Sequence, residues 1–299
     1  MTKAKNKEEF KERWAKYCKC FDDNDVNSIN SQITRMLWNY AIWNLINGSM
    51  QYVEKDSDGA ALANGALYRS INRWFFETQK MAIRRLIDES GIDGERGVNS
   101  IMSVINDIKE NAEYLTRENL FELRNLQYDY EPLTELDYEP SDDLHQLIDI
   151  LSKTSEEKRE KSDTIDVNFL TQLKNDLSEQ CEQFKIFVDK YCAHAATEES
   201  RNKVNADGLK VTVKEYKKAH ELMCKYANFI EDLLRDKSNK FLPTPSPDLF
   251  LYWDKPIFQG DDPKRLKEIW NKYEDEARQW HSISFDELKK KMETVTSNE

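Results

Sequence analysis

VNFLTQLKNDLSEQCEQFKIFVDKYC, residues 167–192, places Leu170, Leu173, Leu177, Cys181, Phe184, Val188 and Tyr191 at intervals of 3, 4, 4, 3, 4 and 3. That alternation holds one apolar edge in line on an α-helix, as in the seam of a bundle. The segment therefore predicts a central core helix. At its end Asp189, Lys190, Tyr191, Cys192 and His194 crowd together, so packing and titratable groups meet at one place.

The flanking sequence repeats the helical period. On the C-terminal side Thr212-x-x-Glu215 is a capping box, followed by Tyr216, Ala219, Met223, Ala227, Ile230 and Leu234 facing inward to about residue 236. On the N-terminal side long helices are predicted over 27–53 and 60–90, the second turning Leu67, Ile71, Trp74, Phe75, Ala82 and Leu86 inward. Its last turns carry Arg84, Arg85 and Asp88, with Arg84 and Asp88 spaced to pair. Shorter helices follow over 99–115 and 144–151, with 116–126 either extending the first of these or forming a turn of its own. With only 8 Gly and 7 Pro against 7 Trp, 13 Tyr and 13 Phe, the chain has few turn signals and ample core material. The fold class predicted is all-α, a bundle of five to six helices.

Residues 1–26 read as an N-terminal basic arm or short helix with Phe10, Trp14 and Tyr17 at helical spacing. Residues 129–143 hold seven acids and no base, a surface excursion that phosphate would avoid. Pro243, Pro245, Pro247 and Pro256 forbid helix over 237–262, while Phe250, Tyr252, Trp253 and Phe258 demand burial, so this stretch is expected to lie as a strap over the bundle. Residues 263–299 are expected to form C-terminal helices packing on it, through Leu266, Ile269, Trp270, Tyr273, Ala277 and Trp280.

The net charge of −12 repels nucleic acid at long range, so any such contact requires a local basic patch. Five cysteines without framework spacing point to reduced thiols. No apolar run approaches the ~18 residues of a membrane span, and the first residues lack an apolar signal core. A cytoplasmic protein without membrane contact is the expectation. Walker, zincin and Rossmann patterns are absent, which leaves nucleotide hydrolysis and metalloprotease chemistry without support.

Four histidines are candidates for chemistry. His194 follows Lys190 by four residues and Phe187 by seven, on one face of a continuing helix, where it is placed to act as a general acid or base. A structural histidine bonded to a neighbouring helix accounts for the spacing equally well. His220 reads as buried and hydrogen-bonded, His145 and His281 as solvent-facing. Lys190 and His194 beside Cys192 are expected to lower its pKa.

The segment Phe-Val-Asp-Lys-Tyr-Cys-Ala-His-Ala at 187–195 resembles the Arg-polar-x4-to-6-His motif of the HEPN superfamily of helical nucleotide-binding and ribonuclease domains. TQKMAIRRLIDES at 78–90 and NSIMSVINDI at 99–108 are similar to the first half of abortive-infection (AbiU-type) HEPN-like families. The resemblance spans about 27–236. It implies a prokaryotic defence protein, a homodimer with two motifs facing one cleft, and RNA cleavage needing no metal or cofactor. Within it Asp189 takes the polar position and His194 the histidine, while the arginine position falls on Val188. An aliphatic group cannot stabilise charge on phosphate. Lys190 on the motif's own face, Arg84 or Arg85 from the second long helix, and Arg201 from the following loop are the substitutes available. The resemblance thus leaves two RNA-directed expectations, an endoribonuclease or a non-catalytic RNA-binding relative. The competing class is a helical scaffold or antitoxin-like protein, with the acidic segment and strap as its protein-partner surfaces.

Overall fold

A computed structural model describes residues 3–59, 63–129, 140–192, 196–203, 211–235, 237, 239, 241–245, 249, 251 and 263–278. Among them are ten α-helices and no β-strand: α1 (Lys7–Cys20), α2 (Ile29–Ser49), α3 (Gly65–Leu86), α4 (Ile101–Glu110), α5 (Arg117–Leu123), α6 (Pro140–Ser152), α7 (Val167–Phe187), α8 (Glu198–Asn202), α9 (Val213–Arg235) and α10 (Pro263–Arg278). The chain divides into two compact units, Met1–Pro243 and Thr244–Glu299. The first contains α1–α9 and the second α10.

Helix starts follow local chemistry. The side chains of Asn6, Ser28, Asn64, Ser100, Thr116, Asp166 and Thr197 each accept a backbone N–H from the first turn of the helix they precede. Each satisfies a donor that the helix itself leaves orphaned, worth about 1 kcal/mol. The capping box at α9 is formed as the spacing demands, Thr212 N–H donating to Glu215 and Glu215 N–H to Thr212 Oγ1. Thr116 starts a separate helix, α5, which settles the alternative left open for 116–126.

α7 sits at the centre, packed on α3, α4 and α9. Leu170, Leu173, Leu177, Cys181, Phe184 and Val188 are all buried, which is the seam of the quoted stretch, while Tyr191 at its end is exposed. Phe184 and Tyr216 of α9 meet edge to face at 5.0 Å. Burial of the α7 seam against three helices fixes the direction in which the end of α7 points, and with it the position of Asp189.

Of the arm and the short helix expected over 1–26, the structure has the helix, α1. Phe10, Trp14 and Tyr17 are 0%, 4% and 0% exposed. The cause lies on α4: Asp107, fully buried, accepts hydrogen bonds from Arg13 Nε at 2.8 Å and Tyr17 Oη at 2.7 Å. Burial, then the neighbouring Asp107 carboxylate, holds the Tyr17 hydroxyl well above its ordinary pKa. Three aromatics and a buried ion pair make α1 a core helix.

Part of the α3 stripe turns outward: Phe75 and Leu86 are buried, but Leu67 and Trp74 are 42% and 61% exposed. Spacing identifies the face that would bury, and a neighbouring element must still cover it. His145 corrects the opposite way. It is buried, with Arg117 donating to its Nδ1 at 3.0 Å and its Nε2–H donating to Tyr128 O at 3.0 Å, and burial lowers its pKa. Most of the acidic stretch 129–143 and most of the strap fall outside the described residues, as does His281.

Candidate functional site

At the end of α7 the helix widens into a π-turn over Val188–Cys192. The inserted residue advances the side chains beyond α-helical register, so a face inferred from three-and-four spacing does not continue through it. Val188 remains in the core at 1% exposure. The aliphatic residue at the motif's arginine position is therefore a packing residue.

Asp189 nevertheless meets a guanidinium. Arg84 of α3 donates from Nε to Asp189 Oδ1 at 3.0 Å and from Nη1 to Asp88 Oδ2 at 2.8 Å. Burial alone would lower the Arg84 pKa, but hydrogen bonds to Asp189 and Asp88 outweigh it and raise the value. With two carboxylates on one guanidinium, Arg84 carries no surplus charge for a ligand. Lys190 is tied to α8, its Nζ donating to Ser200 Oγ at 2.9 Å, and Arg201 donates back to the Ala196 carbonyl. His194 lies outside the described residues. The sequence-predicted group thus divides: Asp189 and Arg84 meet, Lys190 and Arg201 face the α8 turn, and Arg85 stands apart.

Arg85 is exposed and lines a cleft of about 720 Å³ formed by α2, α3 and the π-turn. Arg35 enters from α2, Glu77 and Thr78 from α3, Phe187 and Tyr191 from α7 and its turn. Phe187 and Tyr191 stack at 5.2 Å with their planes 26° apart. Lys80 Nζ sits 3.2 Å from the centroid of the Phe187 ring, and burial lowers its pKa. An arginine on each helix, lining the same cleft as paired aromatic rings, can hold an anion and a flat ring together.

Cys192 also lines this cleft. Burial, with Glu77 adding to it, raises the thiol pKa against the opposing charge of Lys80, so the expected lowering is corrected. A thiol kept protonated is a poor nucleophile. Among the described residues no group of three or more His, Cys, Asp or Glu is placed to hold a metal ion.

The feature missed at the sequence level is charge segregation. α3 carries Arg69, Arg73, Lys80, Arg84 and Arg85 against Glu77 alone, and α2 carries Arg35 with no acid at all. Six cations to one carboxylate on two adjacent helices stand against a net charge of −12 for the whole chain. Counting charges helix by helix would have found it. Arg35, Arg69, Arg73 and Arg85 are exposed. Comparison with known families, with curated proteins and with solved structures finds no match.

Proposed function

We propose that this protein is a HEPN-like, abortive-infection-type defence protein that binds RNA through α2 and α3 without cutting it. The observation that carries the reading is the basic α2–α3 pair bordering a cleft that stacked Phe187 and Tyr191 also line. Phosphate contacts supply most of the affinity for nucleic acid, and they require cations that are not already neutralised. Arg35 and Arg85 meet that requirement on opposite walls of the cleft, while the acidic remainder of the chain confines binding to this face. Absence of catalysis rests on Val188, buried where the motif needs an arginine, and on Arg84, occupied by Asp88 and Asp189.

Fluorescence anisotropy with labelled RNA across a salt series tests this. Arg35→Glu combined with Arg85→Glu is expected to weaken binding at least tenfold and to reduce the salt slope by about 0.7 for each phosphate that is no longer neutralised. Binding that is absent in the unaltered protein, or unchanged in the double variant, refutes the reading. Incubation with total RNA is expected to leave it intact. Cleavage that disappears in His194→Ala would assign the ribonuclease alternative, for which the guanidinium on Asp189 is the favouring observation.

A further inference from the structure

Beside the arginine cleft runs a second hollow of about 280 Å³, and Asn39 and Thr78 line both. Trp43 and Phe75 lie behind it, stacked at 4.3 Å with planes 6° apart, and Ile42, Ile46 and Ile71 complete its walls. Trp74 also lines it and is 61% exposed. Among the described residues no charged side chain lines the hollow. A phosphate gains nothing there, whereas a flat, weakly hydrated ring does.

We propose that this hollow is a base-stacking station and that the ligand is an unpaired oligonucleotide reaching from Arg85 to Trp74. The inference rests on the RNA-binding reading and adds the form of the ligand. Arg85 and Trp74 are eleven positions apart on α3, roughly 16 Å along the helix axis, which exceeds one nucleotide. A mononucleotide therefore occupies the arginine cleft alone, and a longer strand engages both. A duplex keeps its bases stacked on each other and cannot offer one to Trp74. A protein helix would present a row of apolar anchors, and a hollow of this size receives only one large ring.

Trp74→Ala is the decisive variant, and the exposure of that side chain leaves the fold intact. Affinity is read by anisotropy for a mononucleotide, single strands of two to ten nucleotides in RNA and DNA, a strand with an abasic site, and a duplex. The substitution is expected to weaken the longer strands about 5- to 100-fold and to leave the mononucleotide unchanged. RNA bound more tightly than DNA would assign a further contact to the 2′-hydroxyl. Equal affinity of the variant for long strands, or a duplex bound as tightly as a single strand, overturns the station while Arg85→Glu still reports on the cleft. Failure of every oligonucleotide to bind removes both readings. A concentration-dependent dimer, seen by ultracentrifugation and abolished in Trp74→Ala, would give the hollow to a second copy of the chain.

Discussion

Arg117→Ala is expected to destabilise the first unit by about 3–5 kcal/mol, the range for an ion pair broken inside a protein. Arg117 on α5 has no solvent exposure at all. Its Nη2 donates to Asp149 Oδ1 at 2.7 Å and to Asp163 Oδ2 at 2.8 Å, while Nε reaches Asp163 Oδ2 at 3.1 Å and Nη1 reaches His145 O at 3.2 Å. One guanidinium thereby joins α5, α6 and the connector leading to α7. Removing it leaves the Asp163 carboxylate with the Glu160 N–H but without the Arg117 counter-charge, and takes the donor from His145 Nδ1. Asp149 is spared in part, because Arg159 donates to it from Nη2 at 2.7 Å. Urea denaturation at pH 7 measures the loss. Adding Asp163→Asn to the variant should restore part of it, since the uncompensated charge is then gone. A cost below about 1 kcal/mol for the single change would show that water reaches the site and replaces the arginine.

The second large effect is acid lability through His220. This ring, 5% exposed, donates from Nε2 to Gln79 Oε1 at 2.9 Å, and the Gln79 amide in turn donates to Met36 O at 2.9 Å. Tyr40 meets it edge-on at 5.0 Å. Burial pushes its pKa from 6.5 down to about 4. Above pH 6.5 the ring is neutral whether the chain is folded or not, and stability is unaffected. As pH falls from 6.5 toward 4 the unfolded chain takes up a proton that the folded one refuses, at a cost of about 3 kcal/mol in all. His220→Gln retains a donor for Gln79 and does not titrate. Its loss of stability between pH 7 and pH 4.5 should be smaller than that of the unaltered protein by most of that amount. Parallel pH curves for the two proteins would exclude His220 as the cause.

Both effects depend on partners far away in the chain, and this separates what sequence reveals from what it hides. The α7 seam is visible because seven residues repeat a period, and periodicity belongs to the helix alone. The Asn64 cap of α3 goes unread, and that helix begins at Gly65 rather than near residue 60, whereas Thr212 and Glu215 reveal the start of α9 because a capping box acts within one turn. His220 is legible for the same reason, lying beside Ala219 on an apolar edge. His145 is not, because Arg117, Phe121 and Tyr128, which meet its ring, all lie outside its own helix. Trp74 has the spacing of a core residue, and only the arrangement of α2 against α3 leaves it in solvent. At the candidate site several cations compete in the sequence as partners for Asp189, since Arg84 and Asp189 are separated by 105 positions. The Cys192 thiol runs against expectation because its burial outweighs the field of Lys80, and burial is not written in neighbouring letters.

Arg235, near the end of α9, donates to the Phe21 carbonyl at 2.9 Å, just beyond α1, a closure over 214 positions. Because α1 leaves the ribosome well ahead of α9, Phe10, Trp14 and Tyr17 come into the open long before part of their cover has been translated. At ordinary elongation rates of about 5–20 residues per second the delay is on the order of ten seconds or more. Throughout that interval the nascent chain displays an aromatic face, and a holding chaperone or the ribosome surface is the natural place for it to rest.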